Sequence, residues 1–156
     1  MKAKAVSNLL IGGGAGLLLS TGAIATPYTN TLGTICKNYS AGDLKYIDYV
    51  DLSTASIKSA TTTVICPLSR DTQSTKGATA YVDVTHSANA TTACTLYSYS
   101  YTGTLLGSVS RTWTGTGFHG FTLVVPASDA YSDYAVVCNI PGSKVGRIWD
   151  VDLQEW

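Results

Sequence analysis

Hydrophobic and polar residues alternate with a period of two along much of this chain, and turn-forming residues separate the alternating runs. The run YSDYAVVCNI at 131–140 is the clearest, and Pro141-Gly142 marks a turn directly after it. No stretch shows helical periodicity over ten residues. The pattern predicts nine short strands, near residues 32–39, 44–52, 56–66, 78–86, 91–101, 104–113, 118–126, 131–140 and 145–154. Short, evenly spaced strands of this kind are typical of an all-β, antiparallel β-sandwich with a jelly-roll-like arrangement.

The last predicted strand, GRIWDVDLQEW, alternates strictly between apolar and polar residues. Successive side chains of a strand point to opposite faces of its sheet. Trp149, Val151 and Leu153 are therefore expected on the core face. Asp150 and Asp152 are expected on the opposite face, about 7 Å apart by strand rise and in contact with solvent.

The first residues resemble an export signal. Lys2 and Lys4 precede an apolar stretch from about 9 to 19, and Ala23 and Ala25 form the small-residue pattern that a signal peptidase reads. The apolar stretch is too short and too rich in glycine for a membrane span of roughly 20 residues. We therefore expect residues 1–25 to be a signal peptide and 26–156 to be one secreted domain, either extracellular or periplasmic.

The charge balance excludes some classes of partner. The chain has ten basic and ten acidic residues and no run of like charge. Removal of Lys2 and Lys4 with the leader would leave the remainder weakly acidic. Nucleic acid and anionic membranes, which attract basic surfaces, are therefore not expected as partners.

All four cysteines, Cys36, Cys66, Cys94 and Cys138, follow the leader. An even number of cysteines in an oxidising compartment predicts two disulfides, and the wide spacings do not resemble the paired cysteines of zinc sites. Three pairings are possible. We favour Cys36–Cys66 with Cys94–Cys138, because Cys94 and Cys138 both lie on the apolar phase of a predicted strand.

The segment YSYSYTG at 97–103 places tyrosines at alternate positions. Tyr97, Tyr99 and Tyr101 would share one face of a strand, and such a row could stack on sugar rings. Tyrosine is equally a favoured strand residue that packs against neighbouring strands, so an ordinary outer face remains the alternative.

A hairpin loop at Thr102-Gly103 would set the pairing of the next strand. It predicts four opposed pairs: Tyr99 with Leu106, Tyr97 with Ser108, Leu96 with Val109, and Cys94 with Arg111. The tyrosine face would then be mostly hydroxylated and wet. The core face would carry Cys94, Leu96, Leu105 and Val109.

Catalytic motifs are sparse. The chain has no G-x-S-x-G segment, and its two histidines, His86 and His119, have no metal-ligand spacing. Both are expected at a strand end or in a loop. Asp150 with Asp152, or Asp48 with Asp51, could form the carboxylate pair of a glycosidase or bind calcium, but these aspartates are more typical of a solvated face.

We therefore assign no catalytic residue, metal or cofactor. Arg70 and Asp71 are expected to form an ion pair or to cap the turn after the Cys66 strand.

Three segments, CPLSRD, ACTLYSYSYTG and YAVVCNIPG, are similar to segments of a group of uncharacterised small secreted bacterial proteins. The resemblance runs from about Cys36 to Trp149 and concerns cysteines, turns and strand starts. It implies a small, disulfide-bonded, exported β-sandwich. It implies no activity and no functional residues.

Three hypotheses for function follow. The first is a non-catalytic extracellular β-sandwich with a surface, matrix or partner-binding role. The second is a glycan-binding module that uses Tyr97, Tyr99 and Tyr101 with neighbouring hydroxyl groups. The third is a small secreted hydrolase that uses one of the two histidines.

Overall fold

The structure, a computed structural model, describes residues 28–70 and 76–156. The predicted leader at 1–25 and Asp71 lie outside the described residues. The nine strands are β1 Tyr28–Thr29, β2 Lys37–Asn38, β3 Ile47–Val50, β4 Ser53–Ser56, β5 Thr62–Leu68, β6 Ala78–Tyr99, β7 Leu105–Val125, β8 Asp133–Ile140 and β9 Gly146–Glu155. Two short 3-10 helices lie at Gly33–Ile35 and Ala41–Tyr46. Within the described residues, no helix is long and apolar enough to cross a membrane.

Strand β6 joins the two layers of the fold. One of its edges pairs with β7 along nearly its whole length. Its other edge pairs with β9 over residues 78–86 and with β8 over residues 93–99. The ladder between β6 and β7 is interrupted between His86 and Ala90, where β6 passes from one layer to the other. One continuous antiparallel sheet therefore folds into two layers.

The two layers enclose one hydrophobic core. The first layer contains β3, β4, β9 and the first half of β6, with β1 against β9; the second contains β2, β5, β8 and the second half of β6. Val82 and Val84 from the first layer and Leu96 and Val136 from the second belong to the same buried cluster. The predicted antiparallel β-sandwich is confirmed.

The predicted strand bounds are wrong where the strands are long. The segments 78–86 and 91–101 form the single strand β6, and 104–113 and 118–126 form the single strand β7. The glycines and polar residues that suggested breaks instead occupy the bend between layers. The predicted strand 56–66 is also interrupted, because residues 57–61 form the loop between β4 and β5.

Both favoured disulfides are confirmed. Cys36 and Cys66 are bonded, and so are Cys94 and Cys138. Cys94 and Cys138 lie directly opposite each other on β6 and β8, with Cα atoms 4.1 Å apart. Their side chains lie within the core cluster, as their apolar phase predicted.

Candidate functional site

Tyr97 and Tyr99 form a pair of rings on the outer face of the second layer. Their ring centroids are 5.9 Å apart and the ring planes meet at 25°. Leu96 and Ser98, on the alternate positions of β6, are fully buried. Because side chains alternate along a strand, this burial turns both tyrosine rings outward, where they are half-buried.

Small side chains surround this tyrosine pair. Tyr97 lies between Ser108 on β7 and Ala135 on β8. One position away on the same face, the hydroxyl groups of Thr95 and Ser110 hydrogen-bond at 2.8 Å. No large side chain stands directly beside Tyr97 in the neighbouring strands, so the rings and the hydroxyl groups form one accessible surface.

Tyr101 does not continue the row. It lies in the hairpin loop, 73% exposed, and meets the edge of the Tyr131 ring at 6.1 Å between centroids. The loop is longer than predicted, because Ser100 and Thr104 close it through a backbone hydrogen bond of 2.8 Å. Gly103 has a φ of +82°, the left-handed conformation that such a loop requires.

The longer loop changes the register at one end of the hairpin. Tyr99 pairs with Leu105, and the predicted pairing with Leu106 is wrong. Beyond this shift the prediction holds: Tyr97 pairs with Ser108, Leu96 with Val109 and Cys94 with Arg111. Leu105 is therefore not a core residue; it lies beside Tyr99 and is exposed.

His86 is in the middle of β6, which corrects the expected strand-end position. It is 1% exposed, with Nε2 2.7 Å from the Thr92 hydroxyl and Nδ1 3.0 Å from the Gly115 carbonyl oxygen. A carbonyl oxygen only accepts, so Nδ1 carries a proton and donates it to Gly115; in the neutral ring Nε2 then accepts from the Thr92 hydroxyl. These bonds span the bend of β6, so the imidazole joins the two halves of the strand.

His119 is within β7, not in a loop. Its ring stacks on Trp113 at 4.9 Å between centroids, with planes only 8° apart, and lies 6.2 Å from the ring of Phe121. Trp113 in turn contacts the buried ring of His86. These side chains form a second aromatic row, which follows the core-facing phase of β7. Sequence reasoning missed it because the predicted break in β7 separated Trp113 from His119.

Three carboxylates lie on the outer face of the first layer, where Asp83 pairs with Asp150 and Asp152 is two residues further along β9. Asp152 is not solvated as expected: it is buried, and it accepts a hydrogen bond from the Thr31 amide.

Burial, the charge of Asp152 and the hydrogen bond to it raise the pKa of Asp150 to about 6. Burial and the charge of Asp152 also raise the pKa of Asp83. No group of three or more histidine, cysteine or acidic side chains in the described part of the chain is arranged to hold a metal ion.

Trp149 faces the opposite side of the sheet from the one predicted. Asp83 pairs with Asp150 and Val84 with Ile148, so Trp149 is an extra residue in β9, a β-bulge. Ile148 and Val151 fill the core instead. The bulge places the indole on the outer face, where its N–H donates to the Thr85 hydroxyl at 2.8 Å.

This indole borders a cleft of about 380 Å³. The cleft lies at the start of β9, next to the turn between β8 and β9. It is lined by Thr85, Ser87, Ser143, Lys144, Val145, Arg147 and Trp149. Asp48 and Asp51, named above as a candidate carboxylate pair, form ion pairs with Lys144 and Arg147 respectively, and Asp51 is largely exposed.

Arg70 binds a carboxylate that is distant in the chain, whereas its predicted contact with Asp71 lies outside the described residues. Arg70 Nε donates to Glu155 Oε1 at 2.7 Å, and Arg70 Nη1 donates to the carbonyl oxygens of Asp129 and Ser132. These contacts join the end of β5, the loop before β8 and the end of β9.

Comparison with known proteins identifies the fold. No family model and no curated protein matches the chain. A family 35 carbohydrate binding module from Clostridium thermocellum matches with a TM-score of 0.55 and 7% identity, over 81% of this chain and 97% of that one. The CBM36-1 domain of a xylanase from the hindgut metagenome of Trinervitermes trinervoides matches with a TM-score of 0.49 and 7% identity, over 83% and 98%. At such identity, the likeness to the Clostridium module shows a shared β-sandwich fold.

Proposed function

We propose that this protein is a non-catalytic extracellular binding domain, and that its ligand is a glycan held on the Tyr97–Tyr99 pair. The observation that carries the proposal is the near-parallel alignment of these two rings on an outer sheet face. The face of an aromatic ring carries partial negative charge and attracts the weakly positive C–H groups of a sugar ring. Hydroxyl groups of Ser108 and Ser110, exposed beside the rings, can bond to sugar hydroxyls.

The rigidity of the support favours this role. The tyrosines project from β6, which is flanked by β7 and β8, and the disulfide from Cys94 to Cys138 joins β6 to β8. A platform on paired strands loses little conformational entropy when a ligand binds. The matching fold belongs to a carbohydrate binding module, which is compatible with the proposal.

A hydrolase is less well supported. His86 is enclosed in the core, where one ring nitrogen contacts Thr92 and the other contacts Gly115, and His119 lies between the rings of Trp113 and Phe121.

Export fits the two disulfides, because such bonds persist in oxidising compartments.

The test is binding to a panel of insoluble and arrayed polysaccharides, followed by titration with the best ligand. The double variant Tyr97→Ala/Tyr99→Ala should bind at least about tenfold more weakly, since one aromatic stacking contact contributes about 0.5–1.5 kcal/mol. Tyr39→Ala, which removes an exposed tyrosine elsewhere, is the matched control and should bind normally. Binding that survives the double variant would contradict the assignment of the platform.

A further inference from the structure

The cleft beside Trp149 is separate from the tyrosine pair. It lies on the outer face of the first layer, where Thr85 pairs with Arg147. Tyr97 and Tyr99 lie on the outer face of the second layer. The two surfaces are therefore on opposite sides of the sandwich, and neither depends on the other for its shape.

One wall of the cleft is an oriented aromatic ring. Trp149 is half-buried, and the hydrogen bond from its indole N–H to the Thr85 hydroxyl limits rotation of the ring. The Thr85 hydroxyl accepts in that bond, so its own proton can be donated to a ligand. Ser87 and Ser143 add two more hydroxyl groups to the lining.

The lining also carries two cations and no carboxylate. Arg147 and Lys144 line the cleft, whereas Asp48 and Asp51 pair with them from the side of β3 and its turn. Arg147 Nη1 is 3.6 Å from the Asp51 carboxylate, which is a loose contact, and a guanidinium has five N–H donors. Arg147 can therefore hold a second anion while it keeps this contact.

Two turns in unusual conformations place these cations. Ser143 and Lys144, and likewise Asp51 and Leu52, have φ between +51° and +67°, although none of them is glycine. Such residues are uncommon in this left-handed conformation, which is unfavourable for a residue with a side chain. The amides of Ser143 and Lys144 donate to the carbonyl oxygens of Lys58 and Ser56 at 2.6 and 2.7 Å, which hold the turn in place. Strained turns of this kind are frequent beside ligand sites.

We infer that this cleft binds an acidic sugar residue, whose ring stacks on Trp149 and whose carboxylate pairs with Arg147 and Lys144. The indole wall and the three hydroxyl groups favour a sugar ring over a bare anion, since a small anion makes no favourable contact with an apolar wall. Arg147 favours a charged sugar over a neutral one, because a guanidinium binds a carboxylate through two parallel hydrogen bonds. Lys144 Nζ is 2.5 Å from Asp48 Oδ2, and its ammonium group has further N–H donors for a ligand carboxylate.

The experiment compares glucuronic acid, glucose and acetate as ligands of the wild-type protein. Each is titrated while the indole N–H resonance of Trp149 is followed by NMR. Glucuronic acid should shift this resonance and bind at least about tenfold more tightly than glucose or acetate. Its affinity should fall as salt concentration rises, because salt screens exposed charges.

Substitutions test whether Arg147 and Lys144 bind the carboxylate of the ligand. Arg147→Gln should weaken glucuronic acid binding about tenfold, and Lys144→Gln, a change at an exposed side chain, should weaken it several-fold. Tyr97→Ala/Tyr99→Ala should leave it unchanged, so failure of the tyrosine platform and failure of the cleft can be told apart. Equal binding of glucose or acetate, or full affinity in both Arg147→Gln and Lys144→Gln, would overturn the inference.

Discussion

The guanidinium of Arg70 and the carboxylate of Glu155 form an ion pair at 2.7 Å, with only 2% of the Glu155 side chain exposed. Arg70 lies two residues after β5 of the second layer, and Glu155 ends β9 in the first. The guanidinium also lies over the ring of Tyr134, at 5.6 Å from its centroid. The pair therefore joins the two layers at one end of the sandwich.

Loss of one partner of this pair should destabilise the protein strongly. Arg70→Ala removes the Arg70 guanidinium from the buried Glu155 carboxylate and should lower the free energy of unfolding by about 3–5 kcal/mol. Urea unfolding at neutral pH measures the change. The double variant Arg70→Met/Glu155→Leu removes both charges, and its free energy of unfolding should decrease less than that of Arg70→Ala. A decrease below about 1 kcal/mol in Arg70→Ala would show that the pair behaves like an exposed one.

The disulfide between Cys94 and Cys138 should contribute mainly by restricting the unfolded chain. The two cysteines are 44 residues apart, and the chain-entropy model assigns such a loop about 4 kcal/mol. Cys94→Ala/Cys138→Ala should therefore unfold at a clearly lower urea concentration than wild type. A non-reduced peptide digest provides the companion measurement, and a peptide linking Cys66 to Cys94 would contradict the observed pairing.

Asp150 should make the stability depend on pH. Its pKa is raised from 3.8 to about 6 in the folded protein, chiefly by burial and by the neighbouring Asp152. The folded state therefore binds this proton more tightly than the unfolded state. The contribution to stability is largest below about pH 4 and declines as pH rises to about 6.

Thermal unfolding of wild type and Asp150→Asn between pH 4 and 7 isolates this contribution. Asparagine keeps an oxygen for the Val151 amide but cannot ionise. As the pH rises from 4 to 7, the melting temperature of wild type should fall relative to that of Asp150→Asn. Parallel curves would mean that Asp150 titrates near its ordinary pKa.

Gly33 should be required for the bulge that turns Trp149 outward. A Cβ atom at Gly33 would lie 2.1 Å from the Ile148 carbonyl oxygen and 3.1 Å from the Trp149 carbonyl carbon. Gly33→Ala should therefore displace the backbone of β9 and destabilise the fold by about 1–3 kcal/mol.

Gly42→Ala is the matched control for this change, because a Cβ atom there would meet nothing within 4 Å. This variant should have nearly the same free energy of unfolding as wild type. The indole N–H resonance of Trp149 should move in Gly33→Ala and stay in Gly42→Ala. An unchanged Trp149 resonance in a destabilised Gly33→Ala protein would show that the bulge does not depend on Gly33.

Local pattern was sufficient for several features of this protein. Alternation over YSDYAVVCNI predicted β8, and the shared apolar phase of Cys94 and Cys138 predicted their disulfide. The Thr-Gly turn predicted the pairing of Tyr97 with Ser108. The strand phases and the hairpin are set by neighbouring residues, so a short window contains that information.

Features that depend on bulges and bends were not predictable in this way. Bulges near Ser98 and at Trp149 each add one residue to a strand, and one residue reverses the face of every side chain beyond it. Leu105 and Trp149 were misplaced for this reason. Strands β6 and β7 were each divided at the bend, because a bend between layers has the same glycine and polar residues as a turn.

The sequence by itself determined the β class, the inward phase of Cys94 and Cys138 and the outward phase of Tyr97 and Tyr99, because these follow from alternation along single strands. Only the tertiary structure decided that Trp149 faces outward beside Arg147 and that Arg70 pairs with Glu155. Both relationships join residues that are distant in the chain or displaced by a bulge. Their cause is the folding of one sheet into two layers, and no local pattern specifies how those layers meet.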